Sequence, residues 1–153
     1  MKTILISISF FLAAACLNTV CAAEEEMRHE NHQHDMSMMD TRISLKLSPK
    51  MKQHQLTNMR EHVAAIKNIV GLIAEAKFEE ASKIAHDRLG LTPEMQAMCD
   101  MFENEKFRTL GMAFHKSGDE LGDALQSKEV NLSLRALNRT MQYCVECHAT
   151  FRQ

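Results

Sequence analysis

Apolar residues recur at helical steps along most of the chain. Leu56, Met59, Val63, Ile66, Val70 and Ile73 follow one another at intervals of three and four, which puts them on one face of a helix. This predicts a first long helix over 49–76. A shorter helix is expected over 78–89, with Phe78, Ala81, Ile84, Ala85 and Leu89 inward and Gly90 as its C-cap. Pro93 opens a helical segment carrying Met95, Met98, Cys99 and Phe102. A third long helix over 105–126 has Leu110, Phe114, Leu121 and Leu125 on its seam. A fourth, over 129–151, has Val130, Leu134, Leu137, Met141, Cys144, His148 and Phe151. Both prolines mark helix starts: Ser48-Pro49 and Thr92-Pro93 each read as an N-cap followed by proline at the first helical position. The one alternating stretch, Ile43, Leu45 and Leu47, precedes the first cap and reads as an extended lead-in. Long helices joined by short connections pack best as an antiparallel four-helix bundle, so the expected class is all-α.

The chemistry lies close to the end of the last helix, at Cys144-Val145-Glu146-Cys147-His148. C-x-x-C-H is the pattern through which haem c is attached. Positions i, i+3 and i+4 share a helix face. Both thiols can therefore reach the vinyl groups of one porphyrin while the His148 imidazole approaches the iron. A zinc site would need two more ligands, and no second C-x-x-C follows the first 22 residues. A thioredoxin-like pair would need a strand–helix–strand context that is missing. Because the two cysteines and His148 continue the apolar seam, the haem is expected inside the bundle. The bulk of a porphyrin also accounts for 5% aromatic residues and no Trp.

Residues 1–22 read as a secretory signal. Lys2 gives the positive start, Ile4 to Cys16 is apolar but short for a membrane span, and Val20-Cys21-Ala22 suits cleavage after Ala22, with Ala23 an equal alternative. The rest suits one domain. A net charge of −2 gives no basic face for nucleic acid or anionic lipid. Of five cysteines, Cys16 and Cys21 leave with the signal and two go to haem. Cys99 is left as a small buried hydrophobe, or as the partner of an intermolecular disulfide. Residues 23–47 form a His/Met-rich segment and lead-in, and 48–153 the haem domain. That segment holds Met27, His29, His32, His34, Met36, Met38 and Met39 among acidic residues. Thioether suits Cu(I) and imidazole suits both copper states, so copper is the expected second metal; the competing reading is a solvated polar linker.

Over Pro49 to Arg152 the chain resembles the class II c-type cytochromes, the group of cytochrome c prime and its low-spin relatives. The resemblance rests on Cys144-Val145-Glu146-Cys147-His148-Ala149-Thr150-Phe151-Arg152 at the C-terminus. It is supported by Asn58-Met59-Arg60-Glu61-His62 and by Phe78, Ala81, Ala85 and Leu89-Gly90. It implies a periplasmic four-helix bundle with Cys144 and Cys147 as thioether cysteines and His148 as proximal ligand. It also implies that Met59, on the first helix, fills the sixth iron position. Met51, His54 and His62 are the other candidates there. Arg152, and less directly Arg60, would lie near a haem propionate or else be solvated. A homodimer through the first two helices is implied as well.

The expected function is electron transfer by a periplasmic cytochrome with protein redox partners and no membrane association after signal cleavage. A high-spin protein binding nitric oxide or carbon monoxide is the first alternative, and a copper-handling haem protein using the tail is the second. No nucleophile–base pair, phosphate loop or working carboxylate pair is visible, so an enzyme is not expected. His115, a lone histidine on the third long helix, is expected to face solvent.

Overall fold

The computed structural model describes residues 40–153. The expected signal sequence and the His/Met-rich positions 27–39 lie outside the described residues. The described chain is all-α apart from two short strands. It runs β1 (Ile43–Ser44), α1 (Pro49–Ala74), α2 (Phe78–Ile84) continued by a π-helical turn (Ala85–Leu89), α3 (Pro93–Asp100), α4 (Glu105–Gln126), α5 (Val130–Thr150) and β2 (Phe151–Arg152). No helix among the described residues is long and apolar enough to cross a membrane.

The first N–H groups of a helix have no intrahelical acceptor. Side chains supply one at three starts. Ser48 Oγ accepts from the Met51 N–H at 3.3 Å, Thr92 Oγ1 from Met95 at 3.2 Å and Asn104 Oδ1 from Phe107 at 3.0 Å. α1 stops at Ala74, short of the expected residue 76. There Ala76 turns left-handed (φ 57°), and the Lys77 N–H reaches back to the Leu72 carbonyl at 2.8 Å. This is a Schellman closure with alanine where glycine is usual, which is why composition did not reveal it. The second helix ends at Leu89 with Gly90 as its C-cap, as expected, but by a wider turn. Its last turn is π-helical, and Gly90 is extended (φ −67°) rather than left-handed. Glycine is needed there for space: a Cβ would lie 2.4 Å from both Asp119 Oδ1 and the His86 carbonyl oxygen.

Two helix faces are rotated from the expected seams. α1 buries Gln55, His62, Ala65, Ile69 and Ile73, while Val63 is 67% and Val70 47% exposed. α5 buries Ser133, Ala136, Leu137 and Thr140, while Val130, Leu134 and Met141 stay largely exposed. On α5 the cause is backbone approach. Small side chains let α4 come close enough for Thr140 Oγ1 to donate to the Ser117 carbonyl at 3.0 Å. α2 and its π turn also pack on α4 at close range: Ser82 Oγ donates to the Gly122 carbonyl at 2.8 Å.

The apolar core forms two clusters. One holds Ile69, Ile73, Leu89, Phe114, Leu121 and Leu125. The other holds Phe102, Phe107, Leu110 and Phe151, with Leu45, Leu47 and Met51 packed on it. The lead-in does more than extend. β1 pairs in parallel with β2, Ile43 opposite Phe151 and Ser44 opposite Arg152, and the Leu45 N–H donates to the Arg152 carbonyl at 3.0 Å. Arg42 Nη1 also donates to the His148 carbonyl at 3.3 Å. Residues 42–45 thus strap the end of α5.

Two glycines predict opposite outcomes. A Cβ on Gly118 would sit 2.4 Å from the Leu89 carbonyl oxygen, whereas one on Gly71 would meet nothing within 4 Å. Gly118→Ala should destabilise by about 1–3 kcal/mol through overpacking. Gly71→Ala should stabilise by roughly 0.5–1 kcal/mol through helix propensity. Urea unfolding of both variants checks the pair.

Candidate functional site

The chemistry-bearing residues of α1 and α5 meet at one cavity. The cavity has a volume of about 190 Å³ and opens to solvent. α5 contributes Tyr143, Cys144, Cys147 and His148; α1 contributes Gln55, Asn58, Met59, His62, Val63 and Ile66. The α1 set follows steps of three, one, three, one and three, a single helical stripe. α3 adds Met95, Met98 and Cys99, and α4 adds Phe107, Leu110, Phe114 and His115, among others. Phe114 belongs to one core cluster and Phe107 and Leu110 to the other. The cavity therefore lies where the two clusters would otherwise join.

The packing around it is asymmetric. α4 packs on α5, on α2 and on α3, and α1 packs on α2 and the π turn; α1 and α5 are not a packed pair. The cavity separates them, which explains how Val63 is both an apolar wall residue and an exposed one. Its mouth is tied across by α3. Met98 Sδ accepts from Asn58 Nδ2 at 3.2 Å and lies 3.0 Å from His54 Nε2.

On α5, both thiols are half-buried and uncrosslinked. Burial pushes the Cys144 thiol up, and burial together with the neighbouring Cys144 and Glu146 pushes Cys147 up to about 11. In the unmodified chain both are protonated thiols at neutral pH. The exposed His148 is fixed at its backbone by Arg42.

The α1 wall adds two polar side chains to the cavity lining. Gln55 is 6% and His62 8% exposed as residues, and no hydrogen bond joins either side chain to another described residue. Their polar atoms are not sealed off without a partner: among the described residues that holds only for Gln153 Oε1. Burial, and then the neighbouring His115, lower His62 to about 4, leaving its ring neutral at physiological pH. Its ring sits 4.9 Å from Phe114 and edge-on to His115 at 5.4 Å, centroid to centroid. His115 corrects an expectation: it is buried at 5% exposure, not solvent-facing, because its Nδ1 bonds the Leu89 carbonyl at 2.9 Å. That bond caps the π turn from the side, and burial lowers the His115 pKa.

The cavity brings Cys144, Cys147, His148, Met59 and His62 together. It does not include the other expected residues. Arg152 lies on β2, half-exposed, with Nε 3.7 Å from Asp40 Oδ2. Arg60 is exposed on α1, and Met51 packs on the Phe102 cluster. Cys99 is buried, as expected. His29, His32, His34, Met36, Met38 and Met39 fall outside the described residues. Sequence reasoning missed Gln55, Asn58, Met95, Met98 and Tyr143 as wall residues. The signal for the first two was present: they extend the Met59–His62 stripe by one turn.

Among the described residues no group of three or more His, Cys, Asp or Glu could hold a metal ion. Among the described residues Cys144 and Cys147 thus have no further ligands of the kind a zinc site needs. The cavity lining holds the residue types that a macrocyclic cofactor would use. A porphyrin brings its own four nitrogen ligands and asks the protein for an apolar slot, one or two axial donors and, in haem c, two thiols. The wall supplies each of these. Comparison of the chain with protein-family models, curated proteins and solved structures returns no match.

Thiol burial has a measurable consequence. In the unmodified chain without residues 1–22 and carrying Cys99→Ala and Cys144→Ala, the Cys147 thiolate should be roughly 100-fold scarcer near pH 8 than that of an ordinary cysteine. Iodoacetamide alkylation should accordingly be slow and still accelerating above pH 10. A rate that levels off near pH 9 would contradict this environment.

Proposed function

We propose that this chain is an exported c-type cytochrome, an antiparallel four-helix bundle that carries electrons through one covalently held haem. The observation that carries this reading is the convergence of Cys144, Cys147 and His148 on an apolar cavity between α1 and α5. Cys144 and Cys147 would form the thioethers and His148 the proximal iron bond. When bound, haem c supplies one-electron chemistry at its iron.

The chain's own residues do the rest. Phe107, Leu110, Phe114 and Ile66 exclude water from the slot. The strap from Arg42 to the His148 carbonyl fixes the helix end that bears the proximal imidazole. α1 offers donors from a wall that is not packed extensively on α5, which favours six-coordinate iron and so an electron carrier over a gas-binding protein. The resemblance to class II cytochromes implies Met59 for this position, and Met59 lines the cavity, half-buried. Export to the periplasm rests on residues 1–22, and redox partner proteins follow from the carrier role.

Expression in a bacterium competent for haem c maturation tests the proposal. Wild-type protein should keep its pigment through denaturing electrophoresis and show a low-spin reduced spectrum that carbon monoxide does not alter. The Cys144→Ala/Cys147→Ala double variant should lose covalent pigment to background. Colourless wild-type protein, or pigment that the double variant retains through denaturation, would overturn the reading.

A further inference from the structure

Two residues of the α1 wall can donate to iron, Met59 and His62, and the structure distinguishes them. Given the haem reading above, on which this step rests, we infer that His62, not Met59, is the distal axial ligand.

The first ground is where the donors stand. The two axial ligands of a planar macrocycle approach it from opposite faces. They must come from helices that the macrocycle separates. α5, which carries His148, packs on α4 and not on α1. Donors on helices not packed on α5 are those of α1 and the thioethers Met95 and Met98 of α3, of which Met98 is already engaged by Asn58 Nδ2; α1 alone among these offers an imidazole to the cavity. This sets aside His115, which lies on α4 and whose Nδ1 is engaged by the Leu89 carbonyl.

The second ground is which donor lacks a partner. His62 is more than nine-tenths buried, lines the cavity and makes no hydrogen bond within the described residues. A thioether needs no partner, so Met59 is fully accounted for as half-buried wall packing. The His62 imidazole lines the same slot with its nitrogens accessible and committed to no described residue. Iron would supply the bond that the protein withholds. Gln55, the other unpartnered side chain of this wall, is an amide, a poor donor to haem iron, and is available to hydrogen-bond the macrocycle's polar edge.

The third ground is orientation. The His62 ring is held by Phe114 and by the edge of His115, itself pinned to the π turn. His115 is a positioning residue for His62. A ligand held this way resists displacement, which suits a carrier that does not open to gas molecules. Two imidazoles also give a lower reduction potential than the His/Met pair found in the cytochromes c.

The test uses full-length exported holoprotein, with ferric and ferrous optical spectra, electron paramagnetic resonance and carbon monoxide binding. Wild type should show the bis-imidazole low-spin resonance and lack the weak far-red ferric band of a sulfur–iron bond. Met59→Ala should remain low-spin and closed to carbon monoxide. His62→Ala should become high-spin and bind carbon monoxide, and added imidazole should restore the low-spin spectrum, which separates a lost ligand from a lost fold. High-spin iron in Met59→Ala, or low-spin iron retained in His62→Ala, overturns the inference and leaves the cytochrome reading intact. Wild-type protein without covalent pigment defeats the cytochrome reading itself.

Discussion

The structure depends on two long helices, α1 and α5, being held beside a shared space without packing on each other. α4 does the holding. It meets α5 through small side chains and meets the second helix through Gly118 and Gly122, where a Cβ would strike the Leu89 carbonyl or the His86 ring. These close approaches fix the backbones firmly enough that α1 can present a stripe of side chains to a cavity instead of to a neighbour. A chain lacking such a brace would let α1 slide onto α5, since burying Val63 and Ile66 would gain the transfer free energy of apolar surface.

The strap formed by residues 42–45 serves the same end. Parallel pairing of β1 with β2, and the Arg42 bond to the His148 carbonyl, bring the lead-in onto the helix end that bears the C-x-x-C-H motif. Helix ends fray where their carbonyls lack partners. Here the last turn of α5 is anchored from outside, so the spacing of Cys144, Cys147 and His148 is set by structure on both sides.

Much of this was legible in the sequence, for definite reasons. Proline after serine or threonine located two helix starts, and the bounds of α4 agree with its apolar period. Cys144, Cys147 and His148 stood out by spacing, and the structure places all three in the lining of one cavity. The faces were harder. Apolar period placed Val63, Val70, Leu134 and Met141 inward. The buried stripes instead use Ala65, Ser133, Ala136 and Thr140, because close backbone approach rewards small residues and periodicity counts only hydrophobicity. The burial of His115 was hidden for the complementary reason, whereas His62 was already a candidate for the sixth iron position. A buried histidine looks like a surface one until the neighbouring carbonyl, or the lack of one, is seen. The end of α1 was misjudged where alanine took a left-handed position; the second helix ended at Leu89 with Gly90 as its C-cap as expected, but its last turn is π-helical and uses glycine for room rather than for φ.

The most direct test of the central claim, that this cavity is built around a haem tethered to α5, is the intact mass of the protein purified from a host competent in haem c maturation. The account predicts the mass of the processed chain plus one haem, unchanged by acidified organic solvent and localised by proteolysis to the peptide containing Cys144 and Cys147. A mass equal to the bare chain, or one that drops to it on extraction, would contradict the account.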